Sequence, residues 1–86
     1  MDEAAGREYE RAGLAAMTRG DTAIETALDA FSKAEVRLPK SPSVRLNKAV
    51  VLAMAGRTKD ARAAAESALA LDPAYARARD FLGRIK

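Results

Sequence analysis

The chain has 86 residues, which is room for one domain, and its 15 Lys and Arg outweigh 12 Asp and Glu to give a net charge of +3. It contains no Cys and no His, which excludes disulfide frameworks, thiolate metal sites and histidine-based acid–base catalysis. No apolar run approaches the roughly 18 residues that span a bilayer. The charged N-terminus predicts no signal peptide, so a cytoplasmic location is the default expectation.

Alanine occurs 21 times in the chain, which favours helices in close contact, and Gly and Pro residues divide the sequence into five predicted helices. The first runs over about residues 3–18. Gly20 ends it, because glycine tolerates the left-handed conformation of a C-cap. The residues expected on one side of this helix are Tyr9, Ala12, Gly13 and Ala16.

The second predicted helix begins after Thr22, an N-cap that forms a capping box with Glu25. Pro39 stops it near Leu38, because proline lacks a backbone N–H and restricts the residue before it. Between these signals the apolar residues follow a helical period. They are Ile24, Ala27, Leu28, Phe31 and Ala34.

The remaining three helices have similar signals. The Ser-Pro pair at 41–42 caps and opens the third helix, and Gly56 ends it. Thr58 caps the fourth helix, and the Asp-Pro pair at 72–73 begins the fifth. The apolar positions of these helices are Leu46, Ala49, Val50, Leu52 and Ala53, then Ala61, Ala64, Ala65, Ala68 and Leu69, then Phe81, Leu82 and Ile85.

The chain nearly repeats itself after 34 residues. A repeat of this length is one unit that cannot bury its apolar face alone and therefore stacks on its copies. The loop around residues 21–23 holds about two extra residues, so Gly20 returns 36 residues on as Gly56. The residues that return after 34 are Ala27, Ala34 and Pro39, as Ala61, Ala68 and Pro73.

This pattern resembles the tetratricopeptide repeat, whose signature is W-x2-L-G-x2-Y, then A-x3-F, then P. The first repeat matches as Tyr9-x2-Ala12-Gly13-x2-Ala16, then Ala27-x3-Phe31, then Pro39. The second matches as Arg45-x2-Lys48-Ala49-x2-Leu52, then Ala61-x3-Ala65, then Pro73. The fifth helix matches the start of the signature as Arg79-x2-Leu82-Gly83. The resemblance implies an all-α fold, a right-handed α-α superhelix of about five helices. Residues 1–86 would form one domain, with repeats over about 6–39 and 42–73 and a terminal solvating helix over about 73–86.

Small residues at the helix seams support this reading. Gly13 lies mid-helix, where glycine costs about 1 kcal/mol relative to alanine, so we expect another helix to pack too closely for a Cβ. Ala49 and Gly83 are expected to be small for the same reason. Arg45 and Arg79 stand where the family has a bulky aromatic residue, and we expect their stems to cover apolar surface while their charges reach water.

Catalysis is not expected. The sequence has no glycine-rich phosphate loop, nucleophile elbow or metal-spaced carboxylate cluster, so it predicts no enzyme, no cofactor and no metal site. Residues 44–86 carry nine Lys and Arg against four Asp and Glu, a balance of +5, whereas residues 1–43 carry six against eight, a balance of −2. The basic half suits an acidic partner, although a solvated helical surface also explains it. The nearby aromatics are too few for nucleic-acid stacking, so neither nucleic acid nor membrane is an expected partner.

A partner-binding groove is implied by the family resemblance, because the first helices of tetratricopeptide repeats line a concave surface that takes a peptide or helix. Apolar side chains at helical spacing are equally typical of a core. The implied groove residues are Leu14, Met17, Leu46, Asn47, Val50, Met54, Arg77, Phe81 and Arg84, with Arg7, Glu10, Thr18, Ser43 and Asp80 beside them. Of these, Leu14, Met17, Val50 and Met54 would be apolar anchors, Asn47 would bond a partner backbone, and Arg77 and Arg84 would pair with acidic groups.

Some tetratricopeptide domains hold a chaperone carboxylate in a clamp of Lys, Asn and Arg side chains. Here Glu10, Leu14 and Phe81 replace the Lys, Asn and Arg of that clamp, so no such binding is expected.

Two other interpretations stay open. An array of two and a half repeats is close to the minimum for stability, so the alternative function is self-assembly into a homo-oligomer through the end helices. A third reading is that the chain is a fragment of a larger array.

Overall fold

The computed structural model of the chain describes residues 3–85, apart from the side chain of Asp21. These residues form five α-helices and no strand, so the predicted all-α fold with about five helices is confirmed. A short 3-10 helix, Gly20–Ala23, joins the first two. The helices are α1 (Glu3–Met17), α2 (Ile24–Arg37), α3 (Pro42–Met54), α4 (Thr58–Leu71) and α5 (Ala76–Arg84).

The helices form two hairpins followed by a single helix. The hairpins α1–α2 and α3–α4 have the most extensive contacts, and α3 also packs on α2 while α5 packs on α4. The described residues form a flat body of 35 × 30 × 16 Å, measured between Cα atoms. Since a helix with its side chains is about 10 Å across, this body is at most two helices thick.

Alanine makes up much of the core. Phe31 and Val51 anchor one cluster between the hairpins, and Leu46 anchors a second between α3, α4 and α5. Ala61, Ala65 and Ala68 of α4 are completely buried in these two clusters. Small side chains let the helices approach closely, and this replaces the bulky aromatic residues that the chain lacks.

Gly13 has the close neighbour that the sequence predicts. A Cβ at Gly13 would lie 2.7 Å from ring carbons of Phe31, and one at Gly6 would lie 2.6 Å from Cγ of Leu38. The corresponding prediction for Gly83 is wrong. Its added Cβ would meet nothing within 4 Å, because no described helix packs on that side of α5. Ala12, expected on the packed side of α1, is exposed.

The third helix begins as predicted, whereas α2, α4 and α5 do not. The Oγ of Ser41 accepts a hydrogen bond from the N–H of Val44 at 3.4 Å, with proline at the first helical position. Thr22 forms no capping box, because it lies in the 3-10 helix and its Oγ1 donates to the carbonyl of Arg19 at 3.3 Å. That 3-10 helix accommodates the two extra residues of the first turn. Thr58 is the first residue of α4 rather than its cap, which is Arg57.

The fifth helix starts three residues later than the Asp-Pro pair predicts. The Oδ1 of Asp72 accepts a hydrogen bond from the N–H of Ala74 at 3.1 Å, so the side chain stabilises a turn and leaves Tyr75 as N-cap. The turns at the other helix ends hold Gly20 and Gly56 at φ of +73° and +79°, as predicted for glycine caps.

The two seams between hairpin and following helix differ in chemistry. At the α2–α3 seam, Glu35 of α2 accepts a hydrogen bond from Nζ of Lys48 at 3.1 Å and lies 3.8 Å from Nε of Arg45. At the α4–α5 seam, 34 residues on, Leu69 and Leu82 replace Glu35 and Lys48 and pack against the second core cluster. Both seams bury apolar side chains, and only the α2–α3 seam adds ion pairs at its edge among the described residues.

Candidate functional site

An arginine fixes the start of α3 and of α5 in the same way. The guanidinium of Arg45 donates from Nη2 to the carbonyl of Pro39 at 2.7 Å, and that of Arg79 donates from Nη2 to the carbonyl of Pro73 at 2.7 Å. The side chain of Arg45 is 24% exposed, so its charge reaches water only in part, and its Nε is buried with no hydrogen-bond partner in the described part of the chain. These arginines tie each helix to the turn before it, which orients α3 and α5.

The surface between α3 and α5 forms a small groove. It encloses a cavity of about 270 Å³. Of the nine groove residues implied by the sequence, it brings together Leu46, Val50, Arg77, Phe81 and Arg84, and Asp80 joins them. We call this the α3–α5 groove.

Its residues combine an apolar floor with charged walls. Leu46 is buried, and Val50 and Phe81 are half-buried. Arg77 and Arg84 are exposed and form no ion pair among residues 3–85, although Nη1 of Arg77 donates to the hydroxyl of Tyr75 at 3.2 Å. Carboxylate and phosphate groups both form strong charge-assisted hydrogen bonds with unpaired guanidinium ions of this kind, and in a protein partner the commoner of these groups is the carboxylate of Asp or Glu.

The other four implied residues lie outside this groove. Leu14 and Met54 are exposed, at 42% and 38% of their surface. Met17 packs against the first core cluster, so it is half-buried. Asn47 is 5% exposed and its side chain makes no hydrogen bond with the rest of the described chain.

A polar network joins α1 to α3 through three residues that the family resemblance places beside the groove, although the bonds between them are not predicted from the sequence. Nη1 of Arg7 donates to Oε1 of Glu10 at 2.9 Å, and Oγ of Ser43 donates to Oε2 of Glu10 at 3.0 Å. Both carboxylate oxygens of Glu10 are therefore occupied. The partners Ser43 and Glu10 are 33 residues apart, so only the stacking of α3 on α1 brings them together.

Two larger clefts are lined by side chains that already have partners. One, of about 560 Å³, lies where the N-terminus of α1 meets the loops before α3 and α5. There Ser41 and Ser43 hydrogen-bond each other at 3.1 Å and Arg37 lies over the ring of Tyr9. The other, of about 670 Å³, lies between α2 and α4 and contains the paired Glu35 and Lys48. Neither cleft contains any of the nine groove residues implied by the sequence, whereas the α3–α5 groove contains five of them.

Metal and membrane sites were sought over the same residues. The described part of the chain has no group of three or more carboxylates placed to hold a metal ion. Among residues 3–85, none of the helices has the length and apolar character needed to cross a membrane.

Comparison with known proteins gives no match. No protein-family model, no curated protein sequence and no solved structure is similar to this chain. The function must therefore be argued from the residues and their geometry.

Proposed function

We propose that this chain is a protein–protein interaction module of the tetratricopeptide-repeat type, which binds a peptide or helix of a partner. Its support is internal to the molecule. The second helices of the two hairpins begin 34 residues apart, and the same arginine-to-turn hydrogen bond recurs at that spacing. The proposal has no catalytic, cofactor or metal component.

The observation that carries the proposal is the α3–α5 groove. Its cavity of about 270 Å³ lies below the roughly 300–1,000 Å³ of small-molecule sites, so it suits one or two inserted side chains of a peptide. Burying one large apolar side chain contributes about 1.5–3 kcal/mol, and a charge-assisted hydrogen bond to an arginine contributes about 1.5–3 kcal/mol. Two or three such contacts total about 3–9 kcal/mol before the cost of association, so we expect weak binding, at roughly millimolar to micromolar concentration.

The partner segment is therefore apolar and acidic. A bulky apolar residue would contact Val50 and Phe81, while flanking carboxylates would bind Arg77 and Arg84. Asp80 lies on the same groove and disfavours an acidic residue beside it, so it sets where along the segment a carboxylate is accepted.

A displayed library of random peptides tests this directly. We expect selected peptides to share an apolar residue flanked by Asp or Glu. Val50→Glu should weaken their binding at least about tenfold, because its carboxylate would occupy the groove and pair with the arginines. The matched control is Val36→Glu, since Val36 of α2 is 76% exposed and lies outside the groove.

Charge reversal separates the groove from general electrostatics. Arg84→Glu should reduce binding, whereas Arg19→Glu, an equal change of charge at an exposed site on the first turn, should leave it unchanged. Selected peptides without acidic residues, or equal losses for the groove variants and their controls, would refute the proposal. Circular dichroism of each variant shows whether it is folded.

A further inference from the structure

The face of α1 that α2 covers provides a reference for the rest of the chain. Phe31 of α2 lies against Gly13, and Leu38, at the end of α2, lies against Gly6. Each of these glycines leaves a notch that the larger side chain fills. Between them, the ring of Tyr9 lies beneath two cations of α2.

The equivalent face of α5 is uncovered. Shifting by 70 residues, which is one interval of 36 and one of 34, places Gly6, Tyr9 and Gly13 on Ala76, Arg79 and Gly83. All three residues of α5 are exposed, and no atom approaches within 4 Å of the position of a Cβ on Gly83. We call this surface the α5 end face; it is separate from the α3–α5 groove, which Ala76, Arg79 and Gly83 do not line.

Charge determines which helix can cover the α5 end face. On α1, Nζ of Lys33 lies 5.6 Å and Cζ of Arg37 lies 4.8 Å from the centre of the Tyr9 ring, which attracts cations. On α5 the ring is replaced by the guanidinium of Arg79, held in place by its bond to the carbonyl of Pro73. A covering helix with cations at those two positions would be repelled, and one with carboxylates would be attracted.

A second copy of this chain is an unsuitable occupant of the α5 end face for the same electrostatic reason. Two α5 helices packed antiparallel about a two-fold axis would place Arg79, at the centre of the face, opposite itself. The α2 helix of a second copy would bring Lys33 and Arg37 against Arg79. Within the described residues Arg79 has no carboxylate partner, since Leu69 stands where the earlier seam has Glu35.

We propose that the α5 end face binds an acidic amphipathic helix of a partner protein, antiparallel to α5. A bulky apolar residue fills the notch at Gly83, as Phe31 does at Gly13 on α1, and a second apolar residue seven positions away packs on the Cβ of Ala76. Carboxylates stand where α2 has its two cations and bind Arg79. This site does not depend on the α3–α5 groove, so either one can fail alone.

Two synthetic peptides test the proposal. One has the sequence of residues 24–38, and the other has the same sequence with K33E and R37E. Each is titrated into the isotope-labelled full chain and followed by amide chemical shifts. We expect the K33E/R37E peptide to shift the amides of Ala76 and Gly83 and to bind at least about tenfold more tightly than its parent, which is the effect of one charge-assisted hydrogen bond.

Variants of the full chain sharpen the test. Arg79→Glu should reverse the order of the two peptides. Gly83→Ala should weaken the K33E/R37E peptide about tenfold or more by filling a notch, although it should raise the melting temperature of the free chain. Arg84→Glu, on the α3–α5 groove, is the matched charge control and should not reverse the peptide order.

Three results would overturn the proposal. The two peptides could bind with equal affinity, the shifts could map to α1 or to the α3–α5 groove, or the shifts at Ala76 and Gly83 could be absent at millimolar peptide. Sedimentation of the free chain adds a fourth. A dimer that Arg79→Glu disrupts would show that a second copy occupies the face.

Discussion

Replacing Gly13 by alanine should destabilise the protein, although alanine is the better helix former by about 1 kcal/mol. The new Cβ would lie 2.7–2.8 Å from three ring carbons of Phe31, against about 3.5–4.0 Å for carbon atoms in contact. The ring, which is fully buried, must retreat by roughly 1 Å. Overpacking of this kind costs about 1–3 kcal/mol, and we expect a cost in the upper part of that range. Subtracting the gain in helix propensity of about 1 kcal/mol leaves a net loss of stability of about 1–2 kcal/mol.

Gly83→Ala is the matched control, because it makes the same substitution at the equivalent position of α5, where the added Cβ meets nothing within 4 Å. Gly83→Ala should stabilise the chain by roughly 0.5 kcal/mol, less than the full helix propensity because Gly83 lies in the last turn of α5. In a chain of this size, 1 kcal/mol shifts the melting temperature by about 4–8 °C. Gly13→Ala should therefore lower it by roughly 4–15 °C and Gly83→Ala should raise it by about 2–4 °C.

Thermal and urea unfolding followed by circular dichroism measure both variants. A Phe31→Leu background removes the ring, so in that background Gly13→Ala should no longer be destabilising, and the difference is the interaction energy of a double-mutant cycle. If Gly13→Ala is as stable as the original chain, or if the two glycine variants behave alike, the close contact between α1 and α2 is wrong.

Four further substitutions test individual interactions by urea unfolding. Arg45→Ala should cost about 1.5–3 kcal/mol of stability, because it removes the hydrogen bond to the turn and a partner of Glu35. Arg79→Ala should cost less, because Arg79 is exposed. Equal losses for the two variants would contradict the difference in burial. Glu10→Ala should cost about 1 kcal/mol by leaving Ser43 and Arg7 without their acceptor, and a neutral result would argue against the α1–α3 network. Gly56→Ala should cost about 1 kcal/mol, since its φ is +79° and no neighbour interferes.

The helices were predictable because their signals are local. Pro39 and Gly56 act through their own backbone, and the apolar period of α2 needs only its own sequence. The close contact at Gly13 could be predicted from α1 alone, since a glycine in the middle of a helix has few other uses. The start of α5 was predicted too early because an Asp-Pro pair suits both a helix cap and a turn, and packing decides between them.

The candidate site was less accessible from sequence, because it depends on which face of each helix is covered. Leu46 and Leu14 look alike as apolar residues at helical spacing, yet one forms the floor of the α3–α5 groove and the other is exposed on α1. Gly83 has the same appearance in sequence as Gly13, and only the presence or absence of a neighbouring helix separates them. The bond between Glu10 and Ser43 requires the stacking of helices that are far apart in the chain.

The ion pairs at the edge of the α2–α3 seam make that seam the more sensitive of the two to screening by salt. Sodium chloride weakens the attraction of Glu35 for Lys48 and Arg45, whereas Leu69 and Leu82 of the α4–α5 seam carry no charge. Sulfate strengthens, and cooling weakens, the apolar contacts that both seams contain. Sodium chloride therefore shifts the balance of local opening toward the junction of the two hairpins, and sulfate opposes opening at either seam.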